Sequence, residues 1–187
     1  MRLLLTAVVL LLAAAACGTE EEAAPPAAPA TLPAAALPEL DSRARTLGAA
    51  ALAADSFEPA ALEALLSEGG YLTGREREFS GKTLTFDHVV ARTLVFETEN
   101  GAEAYLGWVR GHGDEFLGRA VPAKVAPPGE GGVAFTLERC GTCKKELPTF
   151  LAAWRRGETV LTLLAAGSGA DAASFSTLAH ELDEAAA

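Results

Sequence analysis

The run "TVLTLLAAG" from Thr159 to Gly167 is apolar at successive positions, so both of its sides ask for cover, as they would in a central strand. A chain carrying such a run must build a sheet around it. Val133, Phe135 and Leu137 alternate with Ala134, Thr136 and Glu138, Leu84 and Phe86 alternate with Thr83 and Thr85, and an apolar run covers Thr93 to Phe96. Each of these reads as a strand, and "AVPAKV" as a shorter one ahead of a Pro/Gly turn.

Helical signals fall between the strands. Asp41 to Ala54 is rich in Ala and predicts a helix. In "DSFEPAALEALLSEGG", Asp55 and Ser56 are capping types, Pro59 suits a first turn, Leu62, Leu65 and Leu66 form a stripe, and Gly69 and Gly70 stop the helix. "ENGAEAYLGWVRGHGDEFLG" has Asn100 and Glu103 at capping-box spacing, with Tyr105, Val109 and Phe116 on its inner face. Asp171 caps a last helix that turns Phe175, Leu178 and Leu182 inward. Helix, strands, helix, strands, helix predicts a single α+β domain over 41–187, with helices packed on a mainly antiparallel sheet.

That order resembles the small lipoprotein and sensor domains of Mog1/PsbP-like layout. The resemblance implies binding of a ligand or partner without catalysis.

With 15 Lys and Arg against 25 Asp and Glu, the chain has a formal charge of −10. No basic surface is available to neutralise phosphates, which argues against nucleic acid and against polybasic attachment to anionic lipid.

The N-terminus, "MRLLLTAVVLLLAAAAC", places one cation at Arg2, an apolar run from Leu3 to Ala16, and small residues before Cys17. The run is too short for a permanent transmembrane helix and has the layout of a secretion signal over 1–16. "AAAC" followed by Gly18 resembles the lipobox of bacterial lipoproteins, with Ala14 where that family prefers Leu. The resemblance implies that Cys17 is diacylated, becomes the new N-terminus, and anchors the protein to a bacterial membrane on its extracytoplasmic side. Two acyl chains anchor stably, since each buried methylene contributes about 0.8 kcal/mol. The Ala- and Pro-rich stretch 18–40 reads as an extended tether between the lipidated Cys17 and the domain.

"RCGTCKKELPTFLAAW", residues 139–154, holds the remaining cysteines, Cys140 and Cys143. In an oxidising compartment two nearby cysteines most often pair as a structural disulfide. A zinc site would need two more ligands, and His88, His112 and His180 show no paired spacing, so neither a metal nor a cofactor is expected. Leu147, Phe150, Leu151 and Trp154 recur at helical spacing, yet "TFLAAW" and "TVLTLLA" flanking "RRGE" also fit a hairpin with Phe150, Ala152 and Trp154 on one face.

The spacing from Cys140 to Pro148 resembles the active-site stretch of thioredoxin-like oxidoreductases of the TlpA type. That resemblance implies Cys140 as attacking thiolate at a helix N-terminus and Cys143 as resolving thiol, on a truncated thioredoxin-like α/β fold. The sequence departs from that family in having Arg139 before the first cysteine and no proline after Pro148.

Other groups have a chemical and a plain reading. "GSGADAASF", 167–175, is an anion-holding helix start or a strand-to-helix turn. Glu76, Glu78, Asp87, Glu97 and Glu99 are a carboxylate pair for acid–base work or outward faces of strands. Together these features predict a membrane-anchored extracytoplasmic lipoprotein that binds a ligand or partner and catalyses nothing, the alternative being a thiol–disulfide oxidoreductase using Cys140 and Cys143.

Overall fold

The computed structural model describes residues 28–113, 117, 120–137 and 147–187. Its strands are β1 (Asp41–Leu47), β2 (Tyr71–Ser80), β3 (His88–Phe96), β4 (Ala120–Pro122), β5 (Glu130–Leu137), β6 (Thr149–Arg156) and β7 (Thr159–Ala166). Its helices are α1 (Ala49–Ala54), α2 (Pro59–Glu68), α3 (Glu99–Gly111) and α4 (Ala172–Ala185). The strands form one sheet in the order β1-β2-β3-β7-β6-β5-β4, and every neighbouring pair is antiparallel. The fold is thus a single α+β domain on an open antiparallel sheet, and the truncated thioredoxin-like alternative is excluded.

Two meanders, β1 to β3 and β4 to β7, meet where β3 pairs with β7. That junction puts the most apolar strand in the middle, as its composition demands. On one face, Val89, Ala91, Ala152, Trp154, Leu161, Leu163 and Ala165 lie under Phe175, Leu178 and Leu182 of α4. On the other, Leu94, Phe96, Ala153 and Val160 lie under α1, α2 and the inner stripe of α3, Ala102, Tyr105, Leu106 and Val109. The edges are unattractive to further strands: β1 carries Asp41, Arg43 and Arg45, and β4 is three residues ending in Pro122.

Four expectations are corrected. Residues 41–47, expected to be helical, form β1, because their backbone pairs with β2 from Asp41↔Ser80 to Leu47↔Gly74. Ladder bonds along the edge of a sheet outweigh the small helix preference of Ala and Arg. Residues 83–86 form a turn rather than a strand: the Thr83 hydroxyl accepts from the Thr85 and Phe86 amides and donates to the Phe86 carbonyl. The cap of α3 is Thr98, whose hydroxyl accepts from the Gly101 amide, and not Asn100. Finally, the segment expected as tether is packed from Thr31 onward. Leu32, Leu37 and Leu40 are buried under the α4 face, and the Thr31 hydroxyl donates to the Ala91 carbonyl. Three leucines among the prolines suffice to dock the stretch, at roughly 1.5–3 kcal/mol of burial each.

The helix-or-hairpin ambiguity at 147–154 resolves to strand. β6 and β7 are joined by Gly157 and Glu158, and Gly157 has φ 55°, the left-handed conformation required at the first loop position of a tight type II′ hairpin. Phe150, Ala152 and Trp154 share the α4 face, with the Phe150 and Phe175 rings stacked 5.3 Å apart. The helix that the redox resemblance requires after Cys143 is therefore a strand from Thr149. Cys17, Cys140, Cys143 and Phe116 lie outside the described residues. Among the described residues, no helix is long and apolar enough to cross a membrane.

Candidate functional site

Between α3 and the sheet lies a cavity of about 150 Å³, lined by Asp55, His88, Val90, Arg92, Tyr105, Val109, Leu151, Thr162 and Leu164. The spacing of two in strands and four in a helix builds it. His88, Val90 and Arg92 alternate along β3, Thr162 and Leu164 along β7, and Tyr105 and Val109 stand one helical turn apart above them. The rings of Tyr71, Phe96 and Tyr105 form a chain, with centroids 5.5 and 5.8 Å apart, that fixes the Tyr105 ring against the sheet. Arg155 of β6 holds the start of α3 to the sheet through Glu99 at 3.2 Å and Glu103 at 3.5 Å, and also pairs with Glu130 of the neighbouring β5 at 2.8 Å. These glutamates are well exposed, so the pairs set position more than stability.

One end of the cavity is walled by a closed ring of charges. Arg45 Nε donates to Glu76 Oε1 at 2.7 Å, Arg92 Nε donates to Glu76 Oε2 at 2.6 Å, and Arg92 Nη2 donates to Asp55 Oδ2 at 2.7 Å. Arg45 Nη2 closes the ring 3.5 Å from Asp55 Oδ2. Two cations and two carboxylates thus balance across β1, β2, β3 and the turn after α1. Burial pushes the Glu76 carboxyl up, but the hydrogen bonds and charges of Arg45 and Arg92 outweigh it and hold the group below its ordinary range. At the far end, His88 Nδ1 lies 3.7 Å from Glu78.

The middle of the cavity is apolar, yet two hydroxyls line it. Tyr105 is 2% exposed, and burial raises its phenol to about 12, so it stays protonated and able to donate. Neither the Tyr105 nor the Thr162 hydroxyl has a hydrogen-bond partner among the described residues.

The acidic set singled out in the sequence is dispersed. Glu76 sits in the ring, Glu78 beside His88, Asp87 and Glu97 in the turns before and after β3, and Glu99 against Arg155. No carboxylate pair for acid–base work results. The 167–175 stretch is a strand-to-helix turn whose helix start is closed by its own acid: Asp171 accepts from the Ser174 amide at 2.8 Å in a capping box. Its glycines serve close approach instead, since a Cβ on Gly167 or Gly169 would lie 2.1 Å from the Thr85 or Leu84 carbonyl oxygen. Of the three histidines, His88 lines the cavity, whereas His112 stacks on Trp108 and His180 is exposed on α4.

The sequence reading missed Arg45, Asp55, Arg92 and Thr162 as site residues. One signal for them was present: Arg92 interrupts "HVVARTLVF" and Glu76 the middle of "YLTGREREFS", and a charge in the middle of a covered strand requires a partner.

No family model matches the sequence, and no curated protein matches it. Among solved structures, the extracellular domain of PknH from Mycobacterium tuberculosis is similar over 78% of this chain and 80% of that one, with 12% identity and a TM-score of 0.49.

Proposed function

We propose that this chain is an extracytoplasmic binding domain, held at a bacterial membrane by lipidated Cys17, that takes a small ligand between α3 and the sheet and catalyses nothing. The observation that carries the binding reading is the conjunction in one cavity of apolar walls with two hydroxyl-bearing residues, Tyr105 and Thr162. A largely apolar pocket with a few polar groups is the usual form of a small-molecule site. The non-catalytic reading is supported by the chemistry of the ring and of Tyr105: Arg45 and Arg92 are paired with Glu76 and Asp55, and burial raises the Tyr105 phenol to about 12, so it keeps its proton at neutral pH.

Location rests on the N-terminal pattern, and Cys140 and Cys143 pair as a structural disulfide in this reading. The connection that carries them joins β5 to β6, two antiparallel neighbours, and leads into a strand rather than into the helix that activates a thiolate.

An NMR titration of the full chain with a set of benzene-sized fragments tests the binding reading. Hits should converge on the methyls of Val90, Leu151 and Leu164, and Val109→Phe, which fills the cavity, should abolish them. Fragments that bind elsewhere and ignore this substitution would overturn it. For the anchor, Cys17→Ala should release the protein from the membrane fraction. For the cysteine pair, thiol counting should find two further reactive thiols only after reduction, and turnover in an insulin-reduction assay would refute a purely structural role.

A further inference from the structure

We propose that the cavity under α3 selects small uncharged molecules, an apolar body of about one ring bearing a hydroxyl or carbonyl oxygen, and discriminates against anions and cations of the same shape. The inference rests on the binding reading above and adds the chemical class of the ligand. Size comes first: at about 150 Å³ the cavity takes one benzene-sized body. Val90, Val109, Leu151 and Leu164 offer it only dispersion and burial.

Charge decides the rest. A lone Arg92 in an apolar cleft would attract a carboxylate. Here its guanidinium is already committed at 2.6 Å to Glu76 and at 2.7 Å to Asp55, and Arg45 satisfies the same two acids from the other side. An incoming carboxylate would stand beside Asp55, which lines the cavity, and would either suffer its repulsion or displace it and leave the ring unbalanced. An incoming ammonium ion meets Arg92 in the same way. A neutral oxygen meets neither penalty, and the two hydroxyl-bearing residues of the lining suit it, Tyr105 as a donor and Thr162 as a donor or acceptor. Tyr105 is suited to this task because burial keeps it protonated, as a donor that does not change with pH in the physiological range.

The test uses three probes of one shape, benzyl alcohol, benzoate and benzylamine, titrated into the full chain and followed at the methyls of Val90, Leu151 and Leu164. Benzyl alcohol should saturate these shifts at concentrations at least tenfold lower than either ion. Tyr105→Phe should weaken benzyl alcohol about fivefold or more with the melting temperature unchanged, whereas toluene, which has no oxygen, should bind the variant as it binds the native chain. Benzoate or benzylamine binding as tightly as the alcohol would overturn the selectivity and leave the pocket reading standing. Silence from all four probes at these methyls would remove the pocket reading itself.

Discussion

Under α4 the sheet is covered by large buried side chains, and its buried acid is held through one oxygen: Asp183 Oδ1 accepts from Trp154 Nε1 at 2.9 Å and lies 3.3 Å from Arg156 Nε. Under α3 the same strands carry a charge ring at one end, a histidine at the other and a cavity between, with hydroxyls that line it. The two faces alternate residue by residue along β3, Ala91 facing one way and Arg92 the other. The contrast separates two uses of one sheet. The α4 face holds the chain together, whereas the α3 face carries a cavity and the charged groups around it.

The largest effect belongs to the closed face. Trp154→Ala removes a side chain that is 0% exposed and strips Asp183 of its indole donor. About 3–5 kcal/mol should be lost, by the usual cost of deleting a buried aromatic, with the variant unfolding at much lower urea. A loss under about 1 kcal/mol would mean that the α4 face is no tighter than its opposite.

How much of this architecture was legible depends on how a face is covered. β5 alternates cleanly, and α4 shows its stripe of Phe175, Leu178 and Leu182, so both were readable from spacing alone. β6 was ambiguous for a physical reason. Leu151 faces the cavity and Trp154 the α4 core, and a strand covered on both sides has no period of two. β1 was unreadable because "DSRARTL" is an exposed edge whose identity comes from the ladder to β2 and not from its own side chains. The site was legible only as scattered charges, since Arg45, Asp55, Glu76, Arg92 and Tyr105 come from five different elements or turns and share no local spacing.

Next in size is the ring on the open face. Glu76→Gln removes the carboxylate that receives both arginines and leaves Arg92, only 17% exposed, short of charge compensation. With Arg45 largely in water the cost should fall to about 2–3 kcal/mol, below that of a fully buried pair. The pH dependence gives a second reading. The folded-state pKa of Glu76 is depressed, so its contribution is complete above the ordinary carboxylate range and is lost as pH falls through the folded value. The stability gap between native chain and variant should therefore be widest at neutral pH and narrow below about pH 4, a pH set by the unperturbed Glu value. A gap independent of pH would show that Glu76 acts through packing rather than charge.

Two polar atoms on the closed face, Thr93 Oγ1 and Arg77 Nε, are buried with no partner among the described residues. Thr93 is 1% exposed and its hydroxyl is buried without a partner among the described residues, yet it lies outside the cavity. Thr93→Val keeps the shape and removes the stranded oxygen, so stability should rise by about 1 kcal/mol in urea denaturation, with no change in fragment binding.

Tyr105→Phe makes the complementary change on the open face and should move stability least of all. The Tyr105 hydroxyl has no partner among the described residues, but it lines a cavity rather than packed side chains. Removing it forfeits no bond within the described fold, and the phenyl ring keeps its contact with Phe96, whose centroid lies 5.8 Å away. The melting temperature should stay within about a degree, corresponding to less than roughly 0.5 kcal/mol. If both hydroxyls were merely tolerated imperfections, Thr93→Val and Tyr105→Phe would behave alike and neither would touch binding. A pair in which the first changes stability alone and the second changes binding alone would locate, at the level of single oxygen atoms, which face of the sheet was built to meet another molecule.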